Sequence, residues 1–106
     1  MARVLLLEDD PDQIDLRRLL LESAGHRVDT AISSDDAMAF VDRVDVLVLD
    51  LVPGYDALLA SLPANVRVIV LSGRETVAPL VADRATCVLR KPCPTRVLLE
   101  AIGHHG

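Results

Sequence analysis

The sequence predicts one α/β domain in which helices cover both faces of a five-stranded parallel sheet. Short apolar runs bounded by turn residues are typical of strands that are buried on both faces. Four such runs are present: Val4–Leu7, Val46–Leu49, Val66–Leu71 and Cys87–Arg90. Helix-start signals lie between them, and 106 residues suit one hydrophobic core but not two. We therefore expect a single domain over residues 1–106, without an output domain.

The first helix is expected directly after the first strand. An Asp-Pro-Asp segment at 10–12 begins it, because proline suits the first helical turn and acidic side chains suit the positive end of the helix dipole. Gly25 ends it. The helical spacing predicts an apolar face made of Ile14, Leu16, Leu19, Leu20 and Ala24. Leu19 and Leu21 are open to two interpretations, core packing or a partner surface.

The next segment continues the alternation of strand and helix. Residues 26–32 form a second strand, which is less apolar than the others and is therefore expected at a sheet edge. A polar cluster at 33–36 caps a short helix that runs to Val41. The third strand ends at Asp50, and a Pro-Gly turn follows it.

The second half of the chain repeats the pattern. A third helix is predicted over 56–62, and a fourth over 75–83 that Pro79 interrupts or kinks. After the fifth strand, Thr95 caps a last helix that runs to Ile102. Such alternation favours right-handed crossovers and the flavodoxin-like strand order 2-1-3-4-5.

Composition excludes several classes of function. A net charge of −5 argues against non-specific nucleic-acid binding. The two aromatic residues, Phe40 and Tyr55, are too few for base stacking. No apolar run approaches the length of a membrane span, and we expect no secretory signal.

The cysteine and histidine content gives little sign of a metal site. Cys87 and Cys93 lack the histidine spacing of a zinc site, and we expect them to be packing residues in a reducing cytoplasm. His104 and His105 are either a weak ligand pair or part of a frayed terminus.

The residues that could take part in binding or catalysis follow the ends of the strands. Ligands of open α/β sheets bind beyond the carboxyl ends of the strands, and the predicted order makes Glu8, Asp9 and Asp50 neighbours. Clustered carboxylates repel one another unless a cation joins them, and Mg²⁺ accepts carboxylate, water and phosphate oxygens. The cluster therefore favours phosphoryl transfer, with Asp50 as the nucleophile.

Two other strand ends supply complementary groups. Lys91, the only lysine of the chain, offers a compact positive charge to a phosphoryl oxygen. Ser72 offers a hydroxyl, and Gly73 leaves the approach open. Each residue alone has an ordinary interpretation as a turn residue, a helix cap or a surface charge. The joint pattern is what indicates a site.

The segments LLLEDDPD, DVLVLDLVPG, VIVLSG and LRKP resemble the motifs of response-regulator receiver domains, the CheY-like phosphoproteins of two-component systems. Their order and spacing match the family over nearly the whole chain. The resemblance implies a CheY-like fold and a Mg²⁺ or Mn²⁺ cofactor. It also implies cytoplasmic phosphorelay signal transduction, with a sensor histidine kinase or phosphotransfer protein as donor and a downstream protein partner.

The resemblance also implies roles for the acidic residues. Asp50 would be the phosphorylated aspartate, Asp9 would bind the metal directly, and Glu8 would bind it partly through water. The backbone carbonyl of Val52 would be a further metal ligand. The stretch after Asp50 is one residue shorter than is common in the family. This difference leaves the direction of the Val52 carbonyl open.

On the other strand ends, the resemblance makes Ser72 the switch hydroxyl and Lys91 the phosphate-binding lysine, with a cis peptide bond before Pro92. The segment 72–91 is short for the family, so the fourth helix is expected to be truncated. Val88 replaces a Tyr or Phe that many receivers carry. We therefore expect a signalling surface that depends less on the face formed by the fourth helix, fifth strand and fifth helix.

Three functions compete at this point. The leading one is a stand-alone receiver that accepts a phosphoryl group on Asp50 and is not an enzyme beyond its own phosphorylation and dephosphorylation. The second is a degenerate receiver that acts as a phosphorylation-independent binding module. The third is a small phosphatase with an aspartyl nucleophile, although such enzymes usually carry a second acid where this chain has Val52.

Overall fold

The computed structural model describes residues 2–103, which form an alternating series of strands and helices. The strands are β1 (Arg3–Leu7), β2 (Arg27–Ala31), β3 (Val46–Asp50), β4 (Arg67–Ser72) and β5 (Cys87–Arg90). The helices are α1 (Pro11–Ser23), α2 (Ser34–Ala37), α3 (Tyr55–Ser61), α4 (Pro79–Arg84) and α5 (Thr95–Gly103). A 3₁₀ turn, Met38–Phe40, extends α2. His104 and His105 lie outside the described residues.

The five strands form one parallel sheet in the order β2-β1-β3-β4-β5, which confirms the predicted fold class. The weakly apolar β2 is at an edge, as expected. In the register of the sheet, Leu7 pairs with Leu49 and Ser72 pairs with Arg90. The residues that follow these pairs therefore emerge at one end of the sheet.

Alternate residues of the strands contribute their side chains to two hydrophobic cores, one on each face of the sheet. Leu5 and Leu7 of β1 pack with residues of α2, α3 and α4 on one face of the sheet. Val4 and Leu6 pack with residues of α1 and α5 on the other face. These four side chains are fully buried, as expected for a strand covered on both faces. Among residues 2–103, no helix has the length and apolar character that crossing a bilayer requires.

Helix α1 presents a different face to the core from the one predicted. Leu16, Leu19 and Leu20 are exposed, whereas Ile14 and Leu21 are buried. Positions 14, 17 and 21 share one face of a helix, so the third member of the buried stripe is Arg17. The predicted face was wrong because it followed the leucines, whereas the stripe that meets the sheet contains a charged residue. Leu21 is thus a core residue, while Leu19 is not.

The start of α4 also corrects a prediction. The helix begins at Pro79 and not at residue 75, and Ala78 before it has an extended conformation with ψ 148°. Proline disfavours the helical conformation in the residue that precedes it, and it suits the first helical position. The segment after β4 is consequently a loop up to Ala78, and α4 is only six residues long.

Local signals at two other helix starts are as the sequence suggests. The Asp10 side chain accepts a hydrogen bond of 3.0 Å from the backbone N–H of Asp12 and so caps α1. Gly54 precedes α3 with φ 84°, a conformation that favours glycine. This turn brings the chain from the end of β3 into α3 within a few residues.

Candidate functional site

The carboxyl ends of β1 and β3 bring three acidic side chains together. Glu8 directly follows β1, and its backbone N–H donates to the carbonyl of Ala31 at 3.1 Å, which extends the pairing with β2. Asp9 follows in the turn to α1, and Asp50 is the last residue of β3. Carboxylate oxygens of Glu8, Asp9 and Asp50 all lie within 4.8 Å of one another. The three predicted acids therefore form one cluster.

Exposure differs across this cluster. The Glu8 side chain is buried, the Asp50 side chain is 15% exposed, and Asp9 is exposed. The cluster thus ranges from a buried carboxylate at Glu8 to a solvent-exposed one at Asp9.

Lys91 reaches the cluster from the far side of β4. Its Nζ donates to Asp50 Oδ1 at 2.7 Å, and the lysine side chain is 34% exposed. Its backbone N–H donates to the carbonyl of Ser72 at 2.8 Å, which holds the end of β5 against β4. The Lys91–Pro92 peptide bond is cis, the conformation that the resemblance implied.

Arg17 of α1 is a member of the site that the motifs did not reveal. Its guanidinium donates to Glu8 Oε2 at 3.1 Å, and the two side chains are only 11% and 5% exposed. The charged groups therefore follow one another as Arg17, Glu8, Asp50 and Lys91. A sequence signal existed, because position 17 falls in the same helical stripe as Ile14 and Leu21.

The two acids at the centre of this row have shifted pKa values. Burial, followed by the hydrogen bond and negative charge of Asp50, raises the pKa of Glu8 to about 7, against the opposing charges of Arg17 and Lys91. Burial also acts to raise the pKa of Asp50, but hydrogen bonds with Glu8 and Lys91 outweigh it and lower the pKa overall. At neutral pH, Asp50 is consequently ionised, whereas Glu8 is only partly ionised.

Ser72 and Gly73 lie at the carboxyl end of β4. Ser72 is buried, and its Oγ accepts from the backbone N–H of Arg74 at 3.1 Å and donates to the carbonyl of Arg74 at 3.4 Å. The hydroxyl is thus engaged by the following loop. Gly73 is exposed, and an added Cβ would meet no atom within 4 Å, so packing does not require glycine there.

Val52 lies in the tight turn after Asp50. Its backbone N–H donates to the carbonyl of Asp50 at 2.7 Å, and its own carbonyl accepts from the backbone N–H of Tyr55 at 3.2 Å. One lone pair of the Val52 carbonyl is therefore used within the turn, and a second is available. Its role as a metal ligand stays a prediction.

The donor set of the cluster fits a hard divalent cation. Three carboxylates offer the oxygen ligands that Mg²⁺ prefers, and Asp9 opens the cluster to water molecules that would complete its coordination. Burial and the neighbouring Asp50 raise the pKa of Glu8, and a bound cation would relieve the repulsion between these carboxylates.

Comparisons with known proteins agree with this geometry at the level of the fold. No family model matches the sequence, and no curated protein is significantly similar to it. A response-regulator receiver domain protein from Clostridium thermocellum is 25% identical, with a TM-score of 0.83 over 98% of this chain and 93% of that chain. The response regulator TrrA from Thermotoga maritima, in complex with Mg²⁺-BeF, is 22% identical, with a TM-score of 0.84 over 98% of both chains.

A third similar structure is the pseudo-receiver domain of CikA. It is 23% identical, with a TM-score of 0.75 over 98% of this chain and 96% of that chain. Together these similarities show that the chain has the fold of CheY-like response-regulator receiver domains.

Proposed function

We propose that the chain is a receiver domain that accepts a phosphoryl group on Asp50 and signals through protein–protein interaction. The observation that carries the proposal is the placement of Asp50 between an acid cluster and the Lys91 ammonium, 2.7 Å from its Oδ1. An ionised carboxylate beside a fixed cation and a divalent metal site is the arrangement that phosphoryl transfer requires. The likeness to TrrA, which was captured with Mg²⁺-BeF, supports it.

In this proposal Glu8, Asp9, Asp50 and the Val52 carbonyl would hold Mg²⁺, or Mn²⁺ in its place. When bound, the ion supplies positive charge that offsets the charge of the phosphoryl oxygens. Glu8 must release its proton as it takes up this role, because a metal ligand has to be deprotonated.

The chain's own residues would carry out the transfer as follows. An ionised Asp50 oxygen attacks the phosphorus of a phosphohistidine on a sensor kinase or phosphotransfer protein. The P–N bond breaks, and the imidazole leaves with its electron pair while the new P–O bond forms. Lys91 then pairs with a phosphoryl oxygen, and the Ser72 hydroxyl would leave Arg74 to donate to another. Gly73 beside it leaves this approach open.

The remaining parts of the proposal concern the surroundings of the site. We assign the chain residues 1–106 as one receiver-like domain, whose chemistry is the phosphorylation of Asp50 and the hydrolysis of the resulting acyl phosphate by water. A downstream protein would read the phosphorylated state. A cytoplasmic location is part of the proposal, and the free thiols of Cys87 and Cys93 suit it.

Phosphorylation with a small donor tests this function directly. The protein is incubated with phosphoramidate and Mg²⁺ and then examined by intact-mass spectrometry, with a chelator as the control. We expect a gain of one phosphoryl group that depends on Mg²⁺, and peptide mapping after borohydride reduction should place it on Asp50. The absence of an adduct, or an adduct on another residue, would contradict the proposal.

The raised pKa of Glu8 predicts that magnesium binding depends on pH. Because Glu8 is protonated below about pH 7, Mg²⁺ must displace a proton there, and its affinity should fall about tenfold per pH unit below that point. Above it, the affinity should level off. Calorimetric titrations between about pH 6 and about pH 9 measure this dependence, and Glu8→Gln should flatten it. An affinity in the wild type that does not change with pH would contradict the prediction.

A degenerate receiver is the second candidate function. The shortened turn, in which the Val52 carbonyl already accepts a hydrogen bond from Tyr55, favours it, and the pseudo-receiver of CikA shares the fold. Calorimetry that detects no binding at millimolar Mg²⁺ would select this alternative. No observation favours the phosphatase, since Val52 is a buried valine and offers no acid.

A further inference from the structure

Arg17 is a charged residue in a place where helix α1 should present an apolar one. It lies between the buried Ile14 and Leu21 in the stripe that faces the sheet, and its side chain is 11% exposed. Within residues 2–103, its ion-pair partner is Glu8, whose Oε2 accepts from Nη1 at 3.1 Å. A charge in such a position is costly unless its partner is firmly held.

The contact with Arg17 constrains the Glu8 carboxylate. Oε2 accepts from Arg17 at 3.1 Å, and carboxylate oxygens of Glu8, Asp9 and Asp50 all lie within 4.8 Å of one another. Glu8 follows the last residue of β1, and its backbone is fixed by the bond to Ala31. With both its backbone and Oε2 fixed, the Glu8 side chain has little freedom to choose another rotamer.

Arg17 also shares a cleft with the site. The cleft has a volume of about 480 Å³, and Glu8, Arg17 and Lys91 line it together with Gln13 and Cys93. The guanidinium pairs with Glu8 at 3.1 Å and makes no ion pair with Asp9 or Asp50.

We propose that Arg17 is a positioning residue of the metal site, which fixes the Glu8 carboxylate so that the cluster with Asp9 and Asp50 matches the short, regular coordination of Mg²⁺. This inference rests on the proposed function of the site. Residues that orient a metal ligand from outside the coordination sphere commonly contribute tenfold or more to metal affinity.

A comparison of two ions separates positioning from other roles. Mg²⁺ demands nearly ideal octahedral geometry, whereas Ca²⁺ tolerates irregular ligand arrangements and longer distances. A loosened Glu8 should therefore weaken Mg²⁺ binding far more than Ca²⁺ binding. A change in charge alone would act on both ions alike, and a purely structural role would alter neither affinity in the folded protein.

The experiment measures the affinities of the full chain for Mg²⁺ alone and Ca²⁺ alone by calorimetry. Arg17→Met removes the guanidinium with little change in volume, and Arg17→Lys keeps a charge that can make the single bond to Oε2. Arg18→Met is the matched control, because it removes the same charge from the next position of α1. Arg18 is 51% exposed and pairs with Glu22 at 3.4 Å, away from the cluster.

We expect Arg17→Met to lower Mg²⁺ affinity about tenfold or more and Ca²⁺ affinity less than about threefold. Arg17→Lys should restore part of the loss and give a ratio of Mg²⁺ to Ca²⁺ affinity between those of Arg17→Met and the wild type. Arg18→Met should leave both affinities close to wild type. If circular dichroism shows that Arg17→Met does not fold, the ratio of Mg²⁺ to Ca²⁺ affinity in Arg17→Lys still tests the proposal. The lysine ammonium is a point charge that fixes Glu8 less firmly than the guanidinium, so this ratio should be lower than in the wild type.

Three results would overturn the positioning role. They are an unchanged ratio of Mg²⁺ to Ca²⁺ affinity in the Arg17 variants, tighter Mg²⁺ binding in Arg17→Met, and an equal loss in Arg18→Met. In each of these cases the wild type still binds Mg²⁺, so the proposed function stands. A wild type that binds neither ion would overturn both proposals.

Discussion

Asp50→Asn is expected to abolish phosphoryl uptake from phosphoramidate, because the amide that replaces the carboxylate has no ionised oxygen to attack phosphorus. Asp50 is the acid whose pKa is lowered by its hydrogen bonds with Glu8 and Lys91, so the wild type presents it ionised at neutral pH. The rate in the variant should fall by more than about a thousandfold, to the background of the assay. Intact-mass spectrometry over time measures it.

The matched control for this variant is Asp56→Asn. Asp56 lies in the first turn of α3 and is exposed, so the same change of chemistry is made a few residues from the site. We expect normal uptake in this control. An adduct that forms at the wild-type rate in Asp50→Asn would show that another residue is the acceptor, and a loss in both variants would point to a general effect of charge.

Lys91→Met is expected to slow phosphoryl uptake about a hundredfold, the scale on which a single preorganised charge or donor contributes to such transfers. The ammonium lies 2.7 Å from Asp50 Oδ1 and is the group placed to offset charge on the phosphoryl oxygens. Removal of the ammonium should also raise the pKa of Asp50, since the ion pair helps to lower it. The initial rate with phosphoramidate and saturating Mg²⁺ measures the effect.

Arg90→Met provides the comparison for the lysine variant. Arg90 is the adjacent residue of β5, but its side chain is 60% exposed and pairs only at 4.0 Å with the exposed Glu75. Removal of this charge should change the rate by less than about twofold, as expected for an exposed charge in water. Equal losses in the two variants would contradict a specific role of the Lys91 ammonium.

Most of the architecture was predictable because the central strands are buried on both faces. A run such as Val46–Leu49 can be recognised as a strand without any alternation of polar and apolar residues. Its carboxyl end marks the end of the sheet at which the site lies. The regular βα alternation predicts the parallel sheet, and 2-1-3-4-5 is one of the common strand orders of such sheets. Glu8, Asp9 and Asp50 converge for the same reason, since parallel neighbours end at the same edge.

The errors arose where the local signal and the tertiary contact differ. In α1 the leucines at 16, 19 and 20 outnumber the residues that meet the sheet, so hydrophobicity alone selected the wrong face. In α4, Pro79 disfavours the helical conformation in Ala78, so the helix begins at the proline and not at residue 75. The direction of the Val52 carbonyl depends on a tight turn with several possible geometries, and no side-chain pattern fixes it.

The ion pair of Arg17 and Glu8 has a consequence for how this site can decay over evolutionary time. Glu8 can become neutral by taking up a proton, but a guanidinium remains charged at any physiological pH. A descendant that lost Glu8 first would leave a largely buried cation without its partner, whereas one that lost Arg17 first would keep an acid that can be neutralised by a proton. Lineages that abandon the site should therefore replace position 17 before position 8, and sequences that retain the arginine without the acid should be rare.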